Sequence, residues 1–272
     1  MSIYQLDFNG NTKLDITLKR LKSFEPEEGY YLAFSGGKDS CVIKALADMA
    51  GVKYDAHYSI TSVDPPELVN FIKKHHPDVI WERNHWADGK PITMWNLIPT
   101  HTMPPTRLVR YCCQALKESG GEGRFTITGV RKAESYKRSQ RGGVEIADTK
   151  SAKRENLDPD NPDQEMIHIC QTKAQRVLNP IIDWEDGEVW EFLKDFNIPY
   201  CELYDQGYKR LGCIGCPMST QQQQELERYP KFKEAYLRAF DRMVNSERFD
   251  KAKSQWKTAE DVMDWWINGD KR

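Results

Sequence analysis

The chain predicts an α/β fold around a mainly parallel sheet, and three observations carry that expectation. Apolar runs of strand length alternate with amphipathic stretches of helix length. The first such run passes through two glycines directly into a helix-like segment. The last fifty residues lose the strand signal and read as helix throughout, with no internal repeat.

Taken in order, Tyr30–Phe34 is the first expected strand and Lys53–Ile60 (KYDAHYSI) the second. Asp78–Arg83 (DVIWER) and Arg124–Val130 (RFTITGV) are the third and fourth. Ser40–Met49 is expected to be a helix between the first two, and Pro66–His75 another, with proline early in its first turn. Asp148–Glu165 is polar, carries two prolines and shows no apolar period, so it reads as an exposed loop. Asp183–Phe196 places Val189, Trp190 and Leu193 at helical spacing behind an acidic start. Lys231–Val244 and Ala259–Ile267 are the helices of the tail. The expected organisation is a helical lead-in over 1–27, a central domain over 28–218 and a helical extension over 219–272.

Composition narrows the class. Hydrophobic residues at 39% and charged residues at 29% describe an ordinary globular chain. No run is long and apolar enough to span a membrane, and MSIYQLDFNGNTKLD lacks a signal-peptide pattern, so a cytoplasmic location is the expectation. A net charge of −2 rules out a global basic field for nucleic acid. Local surplus does exist. Arg131, Lys132, Lys137, Arg138, Arg141, Lys150, Lys153 and Arg154 outnumber Glu134, Glu145 and Asp148, although the acidic run Glu155–Glu165 follows. That surplus suits a nucleic-acid backbone, a solvated loop or an anion site equally.

SGGKDS, residues 35–40, is the glycine turn after the first strand. Gly36 and Gly37 allow a tight turn and close approach of a ligand. The free amides of the next helix and its dipole favour an anion there. Lys38 adds charge, Ser35 and Ser40 add hydroxyls, and Asp39 can reach a divalent cation such as Mg²⁺ held by the same phosphates. The turn is shorter than the GxxxxGK[ST] loop.

Seven cysteines in a chain of this class point to metal or catalysis before disulfides. Cys112 and Cys113 are adjacent, and Cys213 and Cys216 form a C-x-x-C among glycines. Four thiolates suit zinc or an iron–sulfur cluster, and an adjacent pair sits awkwardly in a zinc knuckle. Buried free thiols are the plainer alternative. Cys41, Cys170 and Cys201 each stand alone and read as packed core thiols. Asp183 and Trp184 read as a helix N-cap beside a buried indole. The six histidines form no ligand spacing.

Several segments then line up with a known family. SGGKDS resembles the PP-loop of the ATP-pyrophosphatase superfamily. TSVDPPE at 61–67, GVRKAES at 129–135 with Arg138, and PIIDWEDGEVWEFLKDFNIPYCELYDQGY at 180–208 are similar to motifs of its PAPS/APS reductase (phosphoadenosine or adenosine phosphosulfate reductase) family. The match covers about residues 28–218. It implies a doubly wound, adenine nucleotide α-hydrolase-like sheet. It also implies an adenylyl nucleotide (ATP, APS or PAPS) with Mg²⁺ at Ser35, Gly36, Gly37, Lys38, Asp39, Ser40 and Asp64.

Arg131 and Arg138 would meet the phosphate or phosphosulfate end, with Glu134 and Ser135 beside them, and Lys38, Asp39, Arg131 and Arg138 would carry the chemistry. A [4Fe-4S] cluster on Cys112, Cys113, Cys213 and Cys216, close to the nucleotide, is implied as well. The family's reductases attack sulfur with a tail cysteine, whereas residues 217–272 contain none.

The expectation is therefore ATP-dependent, adenylating sulfur transfer to a nucleic-acid, protein or small acceptor, as in relatives that thiolate tRNA or the DNA backbone. A sulfur or electron donor protein would be its partner, and a homo-oligomer is compatible with the chain. Two alternatives stay open: a sulfonucleotide reductase whose thiol comes from a partner, Cys170 or Cys201, and a non-catalytic nucleotide or cluster sensor.

Overall fold

The computed structural model describes residues 2–118, 120–147, 154–157, 160 and 175–269. Two compact units interleave along the chain. The first comprises Met1–Tyr58, Asn70–Trp81 and Gly120–Arg210, the second Ser59–Val69, Glu82–Ser119 and Leu211–Arg272.

The strands are β1 (Tyr30–Ala33), β2 (Tyr54–Ser59), β3 (Ile80–Glu82), β4 (Phe125–Ile127), β5 (Val144–Ala147), β6 (Arg154–Leu157) and β7 (Gln175–Leu178). The helices begin with α1 (Lys13–Ser23), α2 (Lys38–Ala50), α3 (Pro66–His75), α4 (Met94–His101) and α5 (Tyr111–Leu116). They continue with α6 (Tyr136–Ser139), α7 (Asp186–Asp195), α8 (Gln222–Arg228), α9 (Pro230–Val244) and α10 (Ala259–Asp264).

The first unit is built on a seven-stranded sheet in the order β3-β2-β1-β4-β7-β5-β6. β1 pairs in parallel with β2 and β4, and β4 in parallel with β7. β5 and β6 form an antiparallel edge, β5 running against β7. The expected α/β fold with a mainly parallel sheet is the observed one. β1 is buried on both faces, which is why YYLA is an unbroken apolar run. Leu32, Phe125, Ile127 and Leu178 form the sheet side of the core. Val42, Ile43 and Leu46 of α2 and Val189, Phe192 and Leu193 of α7 are buried as well. The strand order reverses between β1 and β4, and such a switch point opens a crevice at the carboxyl ends of the strands. The loops after β1 and β4 are SGGKDS and GVRKAES.

The second unit is helical and has its own core, in which Val63, Leu97, Ile98, Ile214, Phe240 and Trp266 are buried. α9 buries Tyr236, Ala239, Phe240, Met243 and Val244, the i, i+3, i+4, i+7, i+8 stripe of an amphipathic helix, and packs on α4 and α10. Tyr236 Oη donates to the Ile214 carbonyl at 2.9 Å and Trp266 Nε1 to Pro105 at 2.7 Å, which satisfies the polar tips of these large side chains. Among the described residues no helix is long and apolar enough to cross a membrane.

Two expectations change, and the reading of Cys201 as a packed core thiol holds. The polar stretch read as a loop contains β6, paired residue by residue with β5, and most of its other residues lie outside the described ones. Asp183 is not an N-cap: Glu185 holds that position on α7, while Asp183 accepts from Arg20 Nη1 at 3.0 Å. The buried Arg20 needs carboxylates, so Asp183 serves it together with Asp160. Cys201 is 0% exposed, a core thiol that offers nothing to a substrate, and Cys170 lies outside the described residues.

Candidate functional site

The turn after β1 is shaped by Gly36, whose φ of 71° is the left-handed region that favours glycine. Gly37 is the N-cap of α2 and makes no side-chain cap hydrogen bond. Ser40 Oγ donates to the Gly37 carbonyl at 2.8 Å and accepts from the Ser35 amide at 3.2 Å, tying the two ends of the loop together. The amide of Lys38, one of the orphan donors of a helix start, donates to Tyr204 Oη at 2.9 Å. Burial first, and then the nearby acidic groups, push the Tyr204 phenol above its ordinary pKa, so it is a neutral hydroxyl. The Lys38 ammonium lies 5.9 Å from the centre of the same ring.

Gly129, after β4, touches the loop directly. A Cβ there would lie 3.0 Å from the carbonyl oxygen and Cβ of Asp39, so only glycine lets the two loops approach this closely.

Two residues further, Arg131 is 2% exposed and its guanidinium is turned inward. Nε donates to Asp39 Oδ1 at 2.7 Å, Nη1 to the Trp184 carbonyl at 3.3 Å and Nη2 to Asp186 Oδ1 at 3.0 Å. Lys38 Nζ completes the set, 3.0 Å from Asp186 Oδ1 and 3.4 Å from Asp39 Oδ2. Burial pushes the Asp186 carboxyl up, but Lys38 and Arg131 outweigh it and hold the group below its ordinary range. Glu134 accepts from the Arg131 amide and pairs with Arg138 Nη1. Ser135 Oγ caps α6 by accepting from the Arg138 amide. The structure thus brings Ser35–Ser40 and Arg131 together in one unit, with Glu134, Ser135 and Arg138 on the segment that follows Arg131.

Asp64 belongs to the second unit, where its carboxylate accepts from the amide and hydroxyl of Thr61 at 2.9 and 2.7 Å. The four paired cysteines are in that unit too. A hydrogen bond from Cys112, and then Arg110, lowers the Cys113 thiol below its ordinary pKa, while Cys112 is raised by the same bond and by burial. Arg110 Nη2 lies 3.2 Å from Cys113 Sγ, and Cys213 Sγ lies 3.7 Å from Thr61 Oγ1. Cys213 above all holds the Lys117 ammonium charged. Among the described residues no three His, Cys, Asp or Glu side chains converge as a site for one metal ion. By donor type, the free thiols Cys112, Cys113, Cys213 and Cys216 are soft sulfurs of the kind that hold zinc or an iron–sulfur cluster.

The model of the phosphoadenosine phosphosulfate reductase domain matches residues 29–219, which is most of the chain. The chain belongs to this family.

Among relatives, an uncharacterized protein of Methanocaldococcus jannaschii is 27% identical over 221 residues, 78% of this chain and 46% of that protein. The adenosine 5'-phosphosulfate reductase of Oceanobacillus iheyensis is 39% identical over 184 residues, 62% of this chain and 60% of that protein. The chain therefore spans about half the length of the curated relatives it matches. The phosphoadenylyl-sulfate reductase of Candida auris, solved as a phosphate complex, overlaps with a TM-score of 0.43 at 16% identity, over 78% of this chain and 98% of that one.

Within the family frame two residues of the loop network escape a reading by motif. Asp186 sits in DWEDGEVW, where an acidic helix start is explained by the dipole alone. Tyr204 sits in LYDQGY, among several aromatic residues, with nothing in its spacing to aim it at Lys38.

Proposed function

We propose that the chain binds an adenine nucleotide by its phosphates at Ser35–Ser40 and uses it in ATP-dependent, pyrophosphate-releasing sulfur transfer to a nucleic acid or a small acceptor. The observation that carries this reading is the start of α2. Its N-cap, Gly37, brings no side chain, Tyr204 Oη holds the Lys38 amide from outside the loop, and a buried ammonium lies beside the glycine turn. That combination suits a polyphosphate. Asp39 is the carboxylate for Mg²⁺, Arg131 fixes its orientation, and Arg138, whose side chain is 31% exposed, meets the anionic end of the ligand.

In the adenylating step an acceptor oxygen attacks the α-phosphorus and the α–β bond breaks. Pyrophosphate leaves with the electron pair, and a sulfur nucleophile such as a persulfide then displaces AMP. The amides and Lys38 stabilise the charge that grows on the leaving phosphates. Cys112, Cys113, Cys213 and Cys216 are proposed to hold a [4Fe-4S] cluster, which when bound supplies a site for sulfur or electrons.

The described cysteines favour transfer over reduction. Among the described residues those outside the quartet are Cys41 and Cys201, 1% and 0% exposed, and burial pushes the Cys41 thiol up. Neither offers a thiolate to the sulfur of a phosphosulfate.

A second reading rests on the 39% identity to the Oceanobacillus reductase: reduction of APS or PAPS with a thiol supplied by a partner or by Cys170. The test is anaerobic incubation with ATP and Mg²⁺, or with APS or PAPS and thioredoxin. Release of pyrophosphate or AMP when an acceptor is present supports transfer. Sulfite from APS or PAPS with no use of ATP replaces it by the second reading.

A further inference from the structure

Two buried cations face the loop, and the two carboxylates that match them differ. The Asp39 side chain is 20% exposed and pairs with Arg131 and Lys38 through different oxygens. The Asp186 side chain is 64% exposed, yet its single oxygen Oδ1 receives both Lys38 Nζ and Arg131 Nη2, each at 3.0 Å. One oxygen shared by an ammonium and a guanidinium is the contact that a phosphate oxygen makes between such groups. With Asp186 in place the charges cancel, two positive against two negative. A polyanion arriving at the loop then meets a neutral site.

The cations need an anion in any state, because a buried Lys38 and Arg131 left unpaired are strongly unfavourable. Asp186 can leave at small cost. It is the first residue of α7, so its side chain can turn to solvent without breaking a helical hydrogen bond. Outside the pair it stays at the N-terminus of its own helix, where the dipole favours a carboxylate.

We infer that Asp186 is a displaceable counter-ion of the loop: it holds Lys38 and Arg131 until a ligand phosphate takes its place, and it thereby sets the affinity for anions. This rests on the phosphate-loop reading above. A ligand without an anionic group leaves Asp186 where it is. The role differs in sign from that of a residue that merely supports the loop. Removing a support weakens ligand binding, whereas removing a competitor strengthens it.

The experiment is calorimetric titration of the purified chain with inorganic pyrophosphate, ATP and adenosine. It compares the wild type with Asp186→Asn and Asp186→Ser, each checked for folding by circular dichroism. Both variants are expected to bind pyrophosphate and ATP about tenfold more tightly, with adenosine unchanged. Their thermal midpoints are expected to fall without ligand and to recover with pyrophosphate, which supplies the missing anion. Unchanged or weaker pyrophosphate binding in both folded variants overturns the role of Asp186, and binding by the wild type then leaves the phosphate-loop reading standing. No binding of pyrophosphate or ATP by the wild type or either variant overturns both.

Discussion

A guanidinium that is 2% exposed and held by Asp39, Asp186 and the Trp184 carbonyl is a positioning group as it stands. Replacing Arg131 with Met would leave Asp39 without its closest partner, and breaking a buried pair costs roughly 3–5 kcal/mol. The lower end applies because the Asp39 side chain keeps 20% exposure. The expected outcome is a loss of about 3 kcal/mol in urea unfolding together with loss of pyrophosphate binding.

Gly129→Ala separates the two effects. Its Cβ would press on Asp39 at 3.0 Å, so ATP affinity should drop about tenfold while the circular dichroism spectrum is unchanged. Equal affinity in the variant would show that the loop yields freely.

His76, 6% exposed, is held down to about 4 from 6.5, by burial first and by Lys44 second. The folded state therefore binds this proton less readily than the unfolded chain does. The stability it secures is complete above pH 6.5 and is lost as pH falls through about 4. A urea midpoint that declines across this window in the wild type and flattens in His76→Gln is the expected result. Equal slopes would remove His76 from the account.

Elements with a full period were legible and those defined by pairing were not. α3 and α9 appear in the sequence almost residue for residue, because each carries a long apolar stripe and a proline at its start. β5, β6 and β7 carry no strand signal of their own in the sequence. Each has four residues, and two of them flank a polar stretch whose pairing is set by distant partners. Ile146, for instance, lies opposite both Glu155 and Arg176, and no local signal distinguishes that register. Phe240 is 0% exposed in the core of the second unit, so Phe240→Ala should cost about 3–5 kcal/mol. The loss should appear as protease sensitivity and a lower urea midpoint; a change below about 1 kcal/mol would mean the site collapses around the cavity.

At the scale of the molecule, the four paired cysteines are the test of the proposed cofactor. Anaerobic purification is expected to give a brown protein with about four irons per chain, one [4Fe-4S] cluster on four thiolates. Cys213→Ser or Cys113→Ser should lower the iron content and bleach the visible absorbance. Stoichiometric zinc and no colour would overturn the cluster.

The residues themselves determined much of this protein: an α/β chain, a glycine turn at Ser35–Ser40, the cysteine pairs Cys112–Cys113 and Cys213–Cys216, and membership of a motif-rich family. Each of these is written locally, in a period, a glycine pair or a short spacing. Tertiary structure alone decided that Arg131 turns inward to Asp39, that Tyr204 covers the Lys38 amide and that Asp186 closes the charge balance. Those partners lie tens of residues apart. Which carboxylate reaches a buried cation depends on where β1, β4 and α7 end in space, and no local pattern encodes that.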